Sequence, residues 1–269
     1  MEPDHRGLIV WVTGASSGIG EAIAHAYAAR GAAVILSGRR VDALEAVAAA
    51  CAGETLVLPF DTTDLGALPG IVARAEAWRG RIDVLVNNAG ISQRSLAKDT
   101  DFEVYRRIME VDFFAPLRLT QLVLPAMLAR GSGHFINISS VAGKVGSVLR
   151  TAYCAAKHAL VGYSDALRGE TDHAGIRVTV VTPGFVRTGV ARNALNADGS
   201  VRGRSDDDID NAMSAEEAVA EILAGIDAGK REIAVVREPV TTLLAMRAAD
   251  PERTFDLMAA HGAALAARG

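Results

Sequence analysis

With 269 residues, half of them hydrophobic and 22% charged, the chain can bury the core of one α/β domain and is neither a fibre nor a disordered segment. Twenty-eight Lys and Arg against 32 Asp and Glu leave a formal charge of −4, and aromatic residues make up 5%, so no basic, aromatic-interleaved surface for nucleic acid is available. Cys51 and Cys154 have no CxxC spacing and the six histidines form no HxxxH pair, which points to a reducing compartment and no metal site.

The N-terminal stretch MEPDHRGLIVWVTGASSG holds a short apolar run, 8–13, that feeds directly into a glycine-rich turn. It lacks a charged leader and a small-residue cleavage site, so a first strand is expected and not a signal peptide. The same β-rich signature recurs at 33–37, 55–60, 83–88, 134–139, 177–182 and 232–236, with helical segments between. This alternation predicts a Rossmann-type doubly wound α/β fold, a seven-stranded parallel sheet with helices on both faces. The strands are nearly continuous in apolar residues, as expected when both faces are covered.

Near the C-terminal end, Ser214-Ala-Glu-Glu217 is a capping box that opens a helix with Val219, Ile222, Leu223 and Ile226 on one face. Between Gly189 and Met213 the periodicity vanishes, and the segment is long for an internal connection: a functional lid or a disordered stretch. Beyond Pro239 two apolar helical stretches, about 240–249 and 254–267, form an extension over about 238–269. The whole chain, 1–269, is expected to form a single domain. No stretch approaches the roughly 18 to 20 continuous apolar residues of a membrane span, and a cytoplasmic location is expected.

The strand at 8–13 leads into Thr13-Gly-Ala-Ser-Ser-Gly-Ile-Gly20 and then a helix-like run. Glycines at such a turn let backbone amides and the positive helix end approach a pyrophosphate, with Gly14, Ser16, Ser17, Gly18, Ile19 and Gly20 as candidate contacts. Sites for NAD commonly place an acid about 20 residues on, for the ribose hydroxyls. Here the second strand ends in Ser37-Gly38-Arg39-Arg40. With no carboxylate to repel a 2′-phosphate and Arg39 available to bind it, NADP(H) is expected over NAD(H). Asp61, followed by Thr62, either accepts from the adenine amino group or caps the next helix.

Tyr153-Cys-Ala-Ala-Lys157 puts a phenol and an ammonium one helical turn apart on the same face. The cation favours tyrosinate, which allows proton exchange at a carbonyl or alcohol oxygen. Ser140, thirteen residues earlier and just past a strand, can hold the same oxygen; as a residue type it is equally a common turn former. Cys154 and His158 face away from Tyr153 on the helix and read as packing or interface residues. A GxxxxGK[ST] phosphate loop is missing.

Thr13 to Gly20, Asn87-Asn-Ala-Gly90, the Ser140/Tyr153/Lys157 set and Pro183-Gly184, in this order over about residues 7–236, resemble the short-chain dehydrogenase/reductase family. Within it, the segment around Tyr153, Asn196-Ala-Asp-Gly199 and the C-terminal extension are most similar to 11β-hydroxysteroid dehydrogenase-like and retinol dehydrogenase-like members. The resemblance implies that the Gly-rich loop holds the pyrophosphate. Asn88, Ala89, Gly90 and Val111 would support the dinucleotide, while Pro183, Gly184, Val186 and Thr188 line the nicotinamide. It further implies Tyr153 as acid/base, Lys157 on the nicotinamide ribose and favouring tyrosinate, and Ser140 orienting the substrate.

One position departs from the family pattern: the usual asparagine of a Val-Asn pair is Asp112, after Val111. The family's side chain helps hold a water chain to the lysine. An ionised Asp112 would stabilise Lys157 as a cation and accept from that water, but it lacks the amide's donor. Activity is expected to survive, with a shifted pH optimum and a lower rate.

The substrate wall is expected from Ile91-Ser92-Gln93, Val145 to Leu149, Phe185 and the 189–213 segment, mostly apolar, which suits a small hydrophobic alcohol or carbonyl compound. The resemblance points to steroid-, retinoid- or lipid-like substrates, and to a homodimer or homotetramer built on helices around 102–130 and 152–173. Membrane contact by the extension is disfavoured, because Asp250, Glu252 and Asp256 offset Arg247 and Arg253. Two alternatives stand beside the dehydrogenase: a catalytically weak NADP(H)-binding regulatory protein, which Asp112 would motivate, and an acyl-carrier-protein ketoreductase, which usually ends nearer the last strand.

Overall fold

Strands β1 (Ile9–Thr13), β2 (Ala33–Ser37), β3 (Thr55–Val57), β4 (Val84–Asn87), β5 (Gly133–Ile138), β6 (Ile176–Pro183) and β7 (Glu232–Val235) form one parallel sheet in a computed structural model that describes residues 5–267. The order is β3-β2-β1-β4-β5-β6-β7. Each of the seven predicted runs contains a strand. The run at 55–60 stops at Val57 because Pro59 has no N–H to donate to the ladder. The chain winds outward from β1 to β3 and then crosses back to β4, so a crevice opens at the carboxyl ends of β1 and β4.

The helices are α1 (Gly18–Ala29), α2 (Val41–Ala50), α3 (Leu68–Arg79), α4 (Phe102–Met109), α5 (Ala115–Arg130), α6 (Thr151–Thr171), α7 (Asp207–Asp210), α8 (Ala215–Asp227), α9 (Val240–Ala249) and α10 (Pro251–Ala266). Successive side chains on a strand face opposite ways, and β1 shows the result. Val10 and Val12 join Ile23 and Tyr27 of α1 and Ile222 of α8 on one side of the sheet. Ile9 and Trp11 join Ile71 of α3 and Val123 of α5 on the other. Each fully buried aliphatic side chain contributes about 1.5–3 kcal/mol, so these two layers fix the sheet's position between them.

A π-helical turn, Glu110–Phe114, links α4 to α5 and makes Phe102–Arg130 one continuous helical run. Within this run of 29 residues an 18-residue stretch has mean hydropathy 1.3, long and apolar enough to cross a membrane, which a search for unbroken apolar stretches overlooks. Its inner face is instead packed in the fold, with Leu119, Val123 and Met127 buried against the sheet.

The segment 189–213 is ordered. Bridges join Leu195 to Gln93 and Val201, and Met213 to Val186, while Ala191, Ala194, Leu195 and Ile209 are buried. Of the extension, α9 has no buried residue and α10 docks through Thr254 and through Met258, which lies over the notch at Gly146.

Candidate active site at the sheet switch point

The crevice is a cleft of about 920 Å³. At its floor the turn after β1 is locked to the turn after β4. Thr13 Oγ1 accepts the backbone N–H groups of Asn88 and Ala89 at 3.0 and 3.1 Å, and Asn88 Nδ2 donates to Thr13 O at 2.9 Å. Gly14 has φ +65°, and a Cβ there would come 2.9 Å from the Ala89 Cα, so close approach and left-handed backbone both require glycine. Ser17 flanks α1 in extended conformation without a side-chain cap bond, which leaves the first-turn amides beside Gly18 and Ile19 facing the cleft.

Of the sequence candidates, Gly14, Ser16, Ser17, Gly18, Ile19, Arg39, Asp61, Thr62, Asn88, Ala89, Gly90, Val111, Ser140, Tyr153, Lys157, Pro183, Gly184, Val186 and Thr188 all line this one cleft. Gly20 and Asp112 do not. Gly20 packs behind the loop, where a Cβ would collide with the Gly14 carbonyl and Asn88 Nδ2. Asp61 closes its own turn, since Oδ1 accepts from Thr63 N at 2.9 Å and Thr63 Oγ1 at 2.8 Å. Burial works to raise its pKa, but those two bonds, with Arg39 and Arg107, hold the carboxyl below its ordinary range.

The cleft also gathers residues that no motif marked. Arg40 Nη2 reaches Ser16 O, Ser16 Oγ and Ser17 Oγ, each at 3.1 Å, and so bridges the β2 end to the glycine-rich loop. Glu103, Arg106, Arg107 and Glu110 enter from α4 and the π-helical turn. Local periodicity shows that such charges share a helix face; only the packing of Val104 and Ile108 of α4 on Ala152 and Ala156 of α6 brings that face to the cleft. Behind the site, Asn87 Nδ2 donates to Asn137 Oδ1 and Asn137 Nδ2 to Ser164 Oγ, both at 2.8 Å, a buried polar thread from β4 through β5 to α6.

At the far end stand Ser140, Tyr153 and Lys157. Ser140 Oγ accepts from Ala142 N at 3.1 Å, which leaves its O–H able to donate elsewhere. Lys157 is 3% exposed; its Nζ donates to Ile138 O at 3.1 Å and lies 5.6 Å from the Tyr153 ring centroid. Asp112, wholly buried, approaches Nζ with Oδ2 at 3.2 Å while Oδ1 accepts from Ile91 N at 2.8 Å. Asp112 sits in the π-helical turn and meets the Lys157 ammonium directly, the contact by which an ionised carboxylate stabilises that cation. Burial pushes the Asp112 carboxyl above its ordinary range, more than Lys157 and the Ile91 N–H pull it down. Burial also opposes the Lys157 ammonium, but Asp112 and then Tyr153 outweigh it and hold the lysine above its usual range.

The predicted substrate wall needs correction. Ile91 lines the cleft, but Ser92, Gln93 and Val145 are buried, Gly146 to Leu149 lie off the cleft, and Phe185 is partly exposed outside it. Gln93 acts elsewhere, because its Oε1 accepts Ala152 N at 2.8 Å and caps the start of α6. The 189–213 segment supplies Gly189, Val190, Asn193, Leu195, Val201 and Ile209 instead. His158 is exposed and its Nδ1 contacts Cys154 O, while Cys154 Sγ accepts from Ser147 N, so both stand apart from the Tyr153 face.

A family model described as short chain dehydrogenase matches residues 8–199. Dehydrogenase/reductase SDR family member 7B of Mus musculus is 37% identical over 263 residues, covering 95% of this chain and 81% of its own length. Dehydrogenase/reductase SDR family member 7 of Homo sapiens is 36% identical over 240 residues, 86% of this chain and 71% of its own. The crystal structure of a short-chain dehydrogenase from Streptomyces avermitilis superposes with a TM-score of 0.77 at 31% identity, over 99% of this chain and 96% of that one.

Proposed function

The chain belongs to the short-chain dehydrogenase family, oxidoreductases that use NAD(P)(H), and on that premise we propose that it is NADP(H)-dependent and acts on a hydrophobic alcohol or carbonyl compound of steroid-, retinoid- or lipid-like character. The observation that carries the reading is one cleft with Arg39 and Arg40 at one end and Ser140, Tyr153 and Lys157 at the other. The donor set suits the dinucleotide: uncapped first-turn amides of α1 for a pyrophosphate and paired guanidinium groups for a 2′-phosphate.

When bound, the dinucleotide supplies or accepts the hydride. In the reductive direction Tyr153 gives its phenolic proton to the substrate oxygen as the carbonyl carbon gains the hydride, and takes a proton back in the oxidative direction. Lys157, kept cationic by Asp112, stabilises the tyrosinate. The free Ser140 O–H donates to the same oxygen and orients it. The apolar wall of Ile91, Leu195, Val201 and Ile209 excludes water and selects an apolar substrate body. Exposed Phe102, Phe114 and Leu128 along the continuous helical run 102–130 support association of copies as a homodimer or homotetramer.

Thermal melts with NADP⁺, NADPH, NAD⁺ and NADH test the cofactor, because a ligand of the folded state raises Tm with concentration. A shift with the phosphorylated pair is expected, and a larger shift with NAD⁺ and NADH would overturn the assignment. Tyr153→Phe should keep that shift and lose turnover; unchanged turnover would remove Tyr153 from the chemistry.

A further inference from the structure

The 189–213 segment is fastened over the cleft by one carboxylate. Its backbone first pairs with the stretch after β4: Leu195 N donates to Ser92 O at 2.8 Å and Arg94 N to Leu195 O at 2.9 Å. Asp206 then draws three guanidinium groups together. Its Oδ2 accepts Arg94 Nε at 2.9 Å and lies 2.8 Å from Arg94 Nη2; its Oδ1 accepts Arg202, and Arg150 Nη2 stands 3.7 Å away. The Arg94 side chain is 8% exposed.

The three arginines belong to three pieces of chain. Arg94 follows β4, Arg202 belongs to the segment itself, and Arg150 is the residue directly before α6, whose first turn carries Tyr153. The neighbour of Arg94, Gln93, caps that same turn through Ala152 N. Asp206 thus closes a loop of contacts from the cleft cover to the catalytic helix. Without its charge, three cations share a half-buried site with their common counter-ion gone, and their repulsion drives the three pieces apart.

We propose that Asp206 is a positioning residue: it latches 189–213 over the cleft and, through Arg94 and Arg150, holds the first turn of α6 and so Tyr153 in place. This rests on the reading of Tyr153 as the acid/base. Leu195, Val201 and Ile209 line the cleft from the latched segment, so the same carboxylate sets the shape of the substrate wall.

The test is hydrogen–deuterium exchange on the ligand-free full chain, comparing wild type, Asp206→Asn and Asp206→Glu. Asp206→Asn is expected to raise exchange about tenfold across 189–213, and to raise it at Ala152 to Cys154 as well. Asp206→Glu is expected to restore slow exchange in both places. Unchanged exchange, or a rise confined to 189–213 with the first turn of α6 still protected, would overturn the proposal. Should Asp206→Asn fail to fold, Arg94→Met removes the contact that ties Asp206 to the chain outside the segment and is read the same way. Because exchange needs no ligand, this outcome is independent of the nucleotide melts, and a failed cofactor assignment is told apart from a failed latch.

Discussion

Lys157 Nζ and Asp112 Oδ2 lie 3.2 Å apart with both side chains shut away from solvent, a direct ion pair beneath Tyr153. Asp112→Asn removes the countercharge and keeps the shape, so the Lys157 ammonium loses the partner that outweighs burial and gives up its proton at lower pH. The alkaline limb of the pH–rate profile is expected to move to lower pH. An unmoved profile would separate Asp112 from the proton chemistry. Asp112→Ala is harsher, leaving an unpaired buried charge, and should cost about 3–5 kcal/mol in denaturant unfolding.

Arg40 bridges Ser16 and Ser17 at the rim where Arg39 also stands. Charge-assisted bonds contribute about 1.5–3 kcal/mol each. Replacing both arginines by alanine should weaken NADPH binding at least about tenfold and leave NADH binding nearly unchanged. Calorimetric titration with the two nucleotides reads the ratio, and equal losses for both would mean that these side chains do not see a 2′-phosphate.

Gly20 lies within α1, where alanine would ordinarily gain about 0.5–1 kcal/mol. Here the added methyl meets the Gly14 carbonyl and Asn88 Nδ2, so overpacking of about 1–3 kcal/mol prevails. Gly20→Ala is expected to lower stability and to abolish nucleotide-induced stabilisation, both visible in one set of thermal melts.

His134 on β5 is buried with Nε2 2.8 Å from Thr179 Oγ1, and burial, then Arg177, pushes its pKa down to about 3. Between that value and the unfolded value near 6.5, the unfolded chain holds a proton that the folded chain refuses, so stability falls as pH drops through this window. Full stability from this group is present above about 6.5. From pH 7 to 5 the wild type should lose about 2 kcal/mol more than His134→Gln, measured by urea unfolding at each pH. Parallel losses would mean that His134 takes up its proton in the folded state.

Much of this protein is legible in local order. The near-continuous apolar runs at 8–13 and 177–182 report strands covered on both faces, and the turn from Thr13 to Gly20 and the Tyr153-to-Lys157 spacing report chemistry because one turn of backbone sets their geometry. Contacts between residues far apart in the chain leave no such trace. That Asp112 touches Lys157 depends on a π-helical turn, and that Gln93 caps α6 while Val145 and Phe185 stay off the cleft depends on how the loops after β4, β5 and β6 pack. The stretch 189–213 has no periodicity because its order comes from Gln93, Arg94 and Arg150 across the fold and not from neighbours along it. Composition and spacing determined the strands, the glycine-rich turn and the tyrosine–lysine pair, since covalent connection fixes those distances; the tertiary structure decided the counter-ions and the cleft wall, since only packing brings them together.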